Sequence, residues 1–226
     1  METLSLSDML RGLREVDDMT WGRYAFSRDL LRDRVPASRR DEMIGRAVEC
    51  GKQWAARIIK DVRTSRPATV GEYLGLSITE VNLPVSEKWA SFAQFAPDKR
   101  IEIASQPLYA YTEIYQIITA EGDDAALPHP DTVLALLIAH EIFHYVEDRH
   151  SDEIYTRTET IRLWKIFCFK NDSTIRALGE IAAMSYAKAL TGVDFNPFML
   201  HILLFYGIKA ESAESIYKEV MGLYHG

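Results

Sequence analysis

The sequence predicts a mainly helical α+β fold in which the helices surround one small antiparallel β-sheet. Apolar residues recur at helical spacing over most of the chain, which indicates amphipathic helices. Residues 76–105 instead contain short stretches rich in β-branched residues, which is typical of strands. The chain has 226 residues, 47% of them hydrophobic and 26% charged, as in ordinary globular proteins. We predict an N-terminal helical region over residues 1–66, packed on a domain over residues 67–226 that includes the C-terminal helices.

Three helices are predicted in the N-terminal region, over residues 5–17, 20–34 and 38 to about 63. The second ends near Pro36, since proline cannot continue a helix. Their apolar stripes contain Leu6, Met9, Leu10 and Leu13, then Trp21, Tyr24, Leu30 and Leu31, then Met43, Ile44, Ala47, Trp54, Ile58 and Ile59. Such stripes usually form core, so we assign no chemistry to them.

A short helix and the strands are predicted next. Thr69 and Glu72 have the spacing of a capping box, which predicts a helix that begins there, and Gly75 is a residue that commonly ends one. The predicted strands are LSITEV (76–81) and the two arms of a hairpin, WASFAQF and RIEIAS, which APDK separates.

The remainder is predicted to be helical. Pro130 and Asp131 are both favourable at a helix start, and they open one long helix. The other predicted helices cover residues 106–119, 153–169, 174–190 and 197–224, with breaks at Asn171-Asp172 and between Gly192 and Pro197.

The long helix contains an H-E-x-x-H motif formed by His140, Glu141 and His144. The two histidines lie one helical turn apart on one face, so their imidazoles can share one Zn²⁺ ion. Glu141 can reach a water in the open coordination position, whose pKa zinc lowers to about 7, and can act as general base. Histidine and glutamate are costly to bury unless they are paired or bind a metal. The motif therefore predicts a metal site with a hydrolytic function.

A catalytic zinc site needs a third protein ligand, for which three residues compete. His150 would complete a metzincin-like spacing, but on an unbroken helix it lies about 15 Å along the axis from His140. Glu147 lies about 10 Å along the axis from His140, which suits a carboxylate behind the ligands or on the surface. Glu180 lies on a later helix beside small alanines that allow close packing, and its spacing fits a ligand and a surface glutamate about equally.

Two motifs of this sequence resemble those of the ImmA/IrrE family of zinc metallopeptidases. The first is HEIFHYVE, and the second is a later E-x-x-A-x-x-Y-A-x-x-L pattern formed by Glu180, Ala183, Tyr186, Ala187 and Leu190. The resemblance covers roughly residues 45–195. It implies a zincin-like fold of gluzincin type, with His140, His144 and Glu180 as ligands and Glu141 as general base. The sequence departs from the family pattern at Met184, where asparagine is usual, at TGVDFNP, which replaces LLMP, and at IRLWKIFCFK, which we predict to be an added helix.

The resemblance also implies a protein or peptide substrate, often a DNA-binding repressor whose cleavage releases transcription. The alternative is a catalytically weak, metal-containing regulatory protein of zincin fold that binds a partner; the presence of Glu141 argues for the enzyme. A further alternative is a zincin-like hydrolase that acts on a small amide or peptide. Tyr145, Tyr155, Tyr186 and His201 are all conceivable donors to a transition-state oxyanion, and the sequence selects none of them.

The charge and cysteine content limit the possible partners. Thirty-three acidic and 26 basic residues give a net charge of −7, which disfavours direct nucleic-acid binding. Cys50 and Cys168 form no C-x-x-C pair and are expected to be buried or free thiols in a reducing compartment. With no secretory signal or membrane-spanning stretch predicted, we expect a cytoplasmic, soluble protein; its oligomeric state is left open.

Overall fold

The computed structural model describes residues 4–82, 92–122, 127–166 and 169–226, which are mostly helical with two small sheets. The helices are α1 (Leu6–Arg14), α2 (Asp18–Ser27), α3 (Ala37–Val62), α4 (Pro67–Tyr73), α5 (Ser105–Ala120), α6 (Pro130–Arg149), α7 (Tyr155–Thr158), α8 (Arg176–Thr191), α9 (Leu200–Tyr206) and α10 (Ala210–His225). The strands are β1 (Ser77–Val81), β2 (Ala93–Ala96), β3 (Arg100–Ala104), β4 (Thr160–Ile166) and β5 (Phe169–Thr174). The mainly helical α+β prediction is confirmed. Within these ranges, no helix is both long and apolar enough to cross a membrane.

The three N-terminal helices form where the apolar stripes predicted them; α1 and α2 are shorter than predicted, and α3 has nearly the predicted bounds. Ser5 and Asp17 cap α1 and α2, since their side chains accept hydrogen bonds from the backbone N–H groups of Asp8 and Thr20. The second helix ends at Ser27, earlier than predicted, and a 3-10 turn follows at Arg32–Arg34. Cys50, on α3, is a buried free thiol as expected, whereas Cys168 lies outside the described residues.

The short helix α4 begins at Pro67, so the predicted capping box at Thr69 is wrong. Thr69 lies inside the helix, and the Arg66 side chain makes no capping hydrogen bond. Proline supplies the start instead, because its fixed φ suits the first helical position. Gly75 ends the helix as predicted, with a φ of +72° that favours glycine.

The first sheet is mixed, so the predicted antiparallel sheet is only partly correct. β3 lies between β1 and β2; β2 and β3 form the predicted antiparallel hairpin, with Phe95 opposite Ile101. The first three residues of WASFAQF, 89–91, lie outside the described residues. β1 runs parallel to β3, with Ile78 opposite Ile101. The parallel pairing arises because the chain passes from β1 into β2 first, and β3 then returns between them in the direction of β1.

The segment predicted as a helix over residues 153–169 is instead one helical turn, α7, followed by the antiparallel hairpin of β4 and β5. The expected added helix IRLWKIFCFK and the expected break at Asn171-Asp172 are therefore wrong. Ile161 is buried, Leu163 is partly buried, and Arg162 and Trp164 are exposed. This period of two is that of a strand with one face towards the protein.

The centre of the fold is α8, which packs against α3 on one side and α6 on another. A Cβ atom on Gly51 of α3 would lie 2.2 Å from the backbone oxygen of Ala182, so the two helices approach closely at this glycine. The Ser185 hydroxyl donates a 2.7 Å hydrogen bond to the backbone oxygen of Val48. This packing fixes α8 against the N-terminal region; the division of the chain into 1–66 and 67–226 stays a prediction.

Candidate metal centre

The H-E-x-x-H motif lies in the middle of α6, which is one continuous helix. The His129 side chain caps the start of this helix by accepting a hydrogen bond from the Asp131 N–H. Pro130 occupies the first turn, where its fixed φ favours helical geometry. The helix continues through Glu147 and ends at Arg149, with His150 as the C-cap residue. His140 and His144 therefore point from one face, and a chain break near Glu147 of the kind that a metzincin-like site needs does not occur.

Three ligand-type atoms converge between α6 and α8. The Nε2 atoms of His140 and His144 are 3.0 Å apart. The Glu180 carboxylate lies 3.4 Å from Nε2 of His140 and 3.8 Å from Nε2 of His144. Two ligands about 2.0–2.1 Å from a tetrahedral zinc ion are about 3.3 Å apart, so these separations fit a metal of that size. Within the described part of the chain, His140, His144 and Glu180 form a group that could hold a metal ion.

Glu180 is placed by the packing of α8. The side chain of Asp29, between α2 and the 3-10 turn, accepts a 2.8 Å hydrogen bond from the Ala177 N–H and so caps the first turn of α8. The small residues Ala182 and Ala183 are fully buried, and Ala182 lies at the close contact of α8 with α3. The Glu180 side chain remains 43% exposed. The packed helices around the carboxylate partly desolvate it, which would raise the pKa of Glu180, but the neighbouring imidazoles of His140 and His144 lower it to about 2.

The electrostatics of His144 favour a cation at this position. Burial would lower the pKa of His144, but the hydrogen bond to Glu147 and the negative charges of Glu180 and Glu141 raise it to about 9. A position that holds a proton this strongly is also favourable for a metal ion, which replaces the proton when it binds. The same three carboxylates would partly neutralise such an ion.

Glu141 is buried, 5% exposed, beside the two histidines. The backbone of Phe95, on strand β2, lies near this carboxylate and slightly lowers its pKa. Burial raises the pKa of Glu141, and the charges of His140 and His144 oppose this only in part. A carboxylate with a raised pKa is a stronger proton acceptor than an exposed one, as general-base chemistry requires.

His150 lies apart from the converging group. Its ring packs on Trp54 with 4.5 Å between centroids, and its Nδ1 lies 2.7 Å from the Glu153 carboxylate. His150 therefore belongs to a surface cluster at the C-terminal end of α6. Glu147, in contrast, is buried at 5% exposure and lies behind His144, so it is not a surface carboxylate.

The four candidate oxyanion donors lie in different surroundings. The hydroxyl groups of Tyr155 and Tyr186 are buried and have no hydrogen-bond partner among the described residues. Tyr145 packs edge-on against Phe95, 5.5 Å between centroids. Burial lowers the pKa of His201 to about 4, although the negative charge of Glu180 opposes this shift. The His201 imidazole is therefore neutral, and it lies near the candidate ligand Glu180.

Arg157 and Gly179 also contribute to the site, and sequence reasoning missed both. Arg157 lies on α7, 3.1 Å from the Glu147 carboxylate, and Gly179 lies against the same carboxylate. Arg157 falls inside the segment that was predicted as a long helix, and no motif spacing relates it to Glu147. The glycine before Glu180 is a sequence signal for close approach, but the sequence does not say what approaches it.

Comparisons with known proteins found no matching family model, no matching curated protein and no matching solved structure. The resemblance to the ImmA/IrrE family therefore stays a prediction. The geometry supports the coarser statement that two histidines and a glutamate could hold a metal ion, and the identity of the metal as zinc stays a prediction.

Proposed function

We propose that this protein is a zinc-dependent metallopeptidase of zincin-like fold and gluzincin type, related to the ImmA/IrrE family. The observation that carries the proposal is the convergence of His140, His144 and Glu180 from two helices, with the buried carboxylate of Glu141 beside them. Two histidines and one carboxylate from the protein are the ligand set of catalytic zinc sites that keep one open position.

The residues around the centre have separable tasks in this reaction. A bound zinc ion would supply an acidified water and a Lewis acid for the scissile carbonyl. Glu141 would accept a proton from the attacking water and pass it to the leaving amine, and its raised pKa suits both transfers. Strand β2, which contacts α6, brings the Phe95 backbone close to the Glu141 carboxylate.

We propose a protein or peptide as the substrate. β2 is an edge strand of its sheet and contacts α6, so an extended chain beside β2 would run past the candidate metal centre. The resemblance to the ImmA/IrrE family adds the narrower proposal that the substrate is a regulatory, repressor-like protein. The alternative remains a regulatory protein that keeps the metal and binds a partner without cleaving it.

Replacement of Glu141 by glutamine tests the proposed chemistry. Glu141→Gln keeps the side-chain shape and removes the base, so hydrolysis of an unfolded labelled protein should fall by about 10²- to 10⁴-fold. The zinc content, measured by mass spectrometry of the purified protein, should remain that of the wild type because the three proposed ligands are intact.

Glu153→Gln is the matched control, since Glu153 is exposed and pairs with His150, which lies outside the proposed site. This variant should retain wild-type turnover. Full hydrolysis by Glu141→Gln would refute the mechanism. A wild-type protein that holds zinc and cleaves neither the general substrate nor a repressor encoded beside it would favour the regulatory alternative.

A further inference from the structure

Glu147 is a buried carboxylate directly behind one of the two histidines. Its Oε2 lies 3.4 Å from Nδ1 of His144, on the side of the ring opposite the converging Nε2 atoms. The side chain is 6% exposed. Burying a carboxylate in this way is costly unless it is paired or hydrogen-bonded, so its place behind the ring needs a reason.

The structure makes room for this carboxylate. A Cβ atom at Gly179 would lie 3.0 Å from Oε1 of Glu147, tighter than side chains normally tolerate. Gly179 precedes the candidate ligand Glu180, so the residue that admits Glu147 and the residue that faces the metal position are neighbours on α8. The Glu147 carboxylate is thus enclosed between α6 and α8.

Arg157 completes the surroundings of Glu147 from a third element. Its guanidinium lies 3.1 Å from Oε2 of Glu147, while its own side chain is 42% exposed. Arg157 lies on α7, whose single turn places it over this carboxylate. A guanidinium keeps its charge at all relevant pH values, so it holds Glu147 as an anion that can only accept hydrogen bonds.

An anionic Glu147 determines which nitrogen of His144 carries the proton. Since the carboxylate can only accept, Nδ1 of His144 is the donor, and Nε2, which faces His140 and Glu180, is the nitrogen that is left to bind a metal ion in place of a proton. The two histidines differ in this respect: Nδ1 of His140 is buried and has no hydrogen-bond partner among the described residues. Of the two rings, His144 is the one with a carboxylate behind it.

We propose that Glu147 is a positioning residue that orients His144 for metal binding, and that Arg157 holds Glu147 in place from α7. The inference rests on the proposed metal site but not on peptidase activity. Carboxylates that receive the second N–H of a ligating histidine fix its tautomer and strengthen it as a ligand, and their loss typically weakens metal affinity by about 10- to 100-fold.

The test measures metal affinity on the full-length chain, independently of hydrolysis. The zinc dissociation constant is determined by competition with a chromophoric chelator for the wild type, Glu147→Gln and Arg157→Gln. Glu147→Gln should weaken zinc binding by about 10- to 100-fold, and Arg157→Gln should weaken it by a smaller factor, because the carboxylate stays but is held less firmly. Glu153→Gln is the control: Glu153 has the same spacing from His150 that Glu147 has from His144, and its removal should leave zinc affinity unchanged.

A second measurement separates positioning from simple structural support. The absorption spectrum of the Co²⁺-loaded protein reports the geometry of the metal ligands. If Glu147 positions His144, Glu147→Gln should change the positions or intensities of the absorption bands. A loss of packing alone would instead lower the melting temperature of the metal-free protein and leave the spectrum unchanged. Should Glu147→Gln not fold, Arg157→Gln decides, since its half-exposed site tolerates substitution. The proposal would be overturned if both variants fold and bind zinc with an affinity within about twofold of the wild type. If only Arg157→Gln folds, an affinity of that variant within about twofold of the wild type would overturn it. A wild-type protein without zinc affinity would instead refute the metal site itself.

Discussion

At the residue scale, three glutamates around α6 and α8 show how surroundings give one residue type different roles. Glu141 is buried and its pKa is raised by that burial. Burial acts in the same direction on Glu147, but the hydrogen bond from His144 and the positive charges of His144 and Arg157 outweigh it and lower its pKa. Glu180 is 43% exposed and faces both histidines. Glu141 is therefore suited to accept a proton, Glu147 to remain an anion, and Glu180 to bind a metal ion.

The third ligand can be tested by two single substitutions. Glu180→Ala removes a converging carboxylate and leaves two imidazoles, so the purified variant should lose most of its zinc. His150→Ala should retain wild-type zinc content, because its ring packs on Trp54 and pairs with Glu153 away from the site. Metal analysis of both variants after identical dialysis makes the comparison. The reverse result, with zinc lost from His150→Ala and kept by Glu180→Ala, would contradict the assignment.

At this scale, the sequence predicted which residues of one helix lie close together, but it did not predict which residues of different elements do. His140, Glu141 and His144 could be related to one another because helical geometry fixes their positions. Glu180 could not be selected by spacing, because the distance between two helices depends on how both pack. The burial of Glu147 could not be predicted either, since it depends on Gly179 and on Arg157 from a turn that was predicted as a longer helix.

At the scale of elements, the close approach of α3 and α8 holds the glutamate-bearing helix in place. Gly51 lies where a Cβ atom would meet Ala182, the backbone of Tyr186 and the side chain of Ser185. Two of these neighbours are backbone atoms, which cannot rotate away. α8 would have to move as a whole, and the position of Glu180 would move with it.

Alanine substitutions at two glycines of α3 test this contact. Gly51→Ala should lower the free energy of unfolding by about 1–3 kcal/mol through overpacking, as measured by urea denaturation. Gly45→Ala is the matched control on the same helix, since no atom lies within 4 Å of its added Cβ. It should instead raise stability by up to about 1 kcal/mol through helix propensity. Equal effects of the two substitutions would contradict the packing described here.

The elements themselves were predictable where local pattern and tertiary packing agree. The amphipathic stripes of α1, α2 and α3 located those helices, and Gly75 located the end of α4. The β4–β5 hairpin was missed although TIRLWKI alternates, because its neighbours on both sides are helical and a short apolar run fits either state. The parallel pairing of β1 with β3 was also missed, since strand order depends on contacts far apart in sequence.

At the scale of the whole molecule, the candidate ligands join two helices that are distant in sequence. His140 and His144 come from α6 and Glu180 from α8, with α7 and the β4–β5 hairpin between them along the chain. An ion bound by all three would connect α6 to α8 in the folded state alone. Metal binding should therefore stabilise the entire fold and not the site in isolation.

Removal of the metal should lower the melting temperature. Free zinc at about 100 times its dissociation constant adds roughly 2.7 kcal/mol to the free energy of unfolding. For a chain of this size, that corresponds to roughly 5–10 °C between the zinc-loaded and chelator-treated protein in a thermal unfolding scan. Glu180→Ala is the control and should show a much smaller difference. A wild-type melting temperature that is insensitive to zinc and to chelator would count against the site.

The hydrogen bond that Asp29 accepts from α8 has a consequence for biosynthesis. Asp29 leaves the ribosome long before its partner, because 148 residues separate it from Ala177. A nascent chain that has emerged only through α6 carries both histidines, but neither the third ligand nor the helix that Asp29 caps. Because Glu180 lies on α8, the candidate metal centre can be completed only after α8 has been translated. The group of candidate ligands is therefore incomplete during most of the chain's own synthesis.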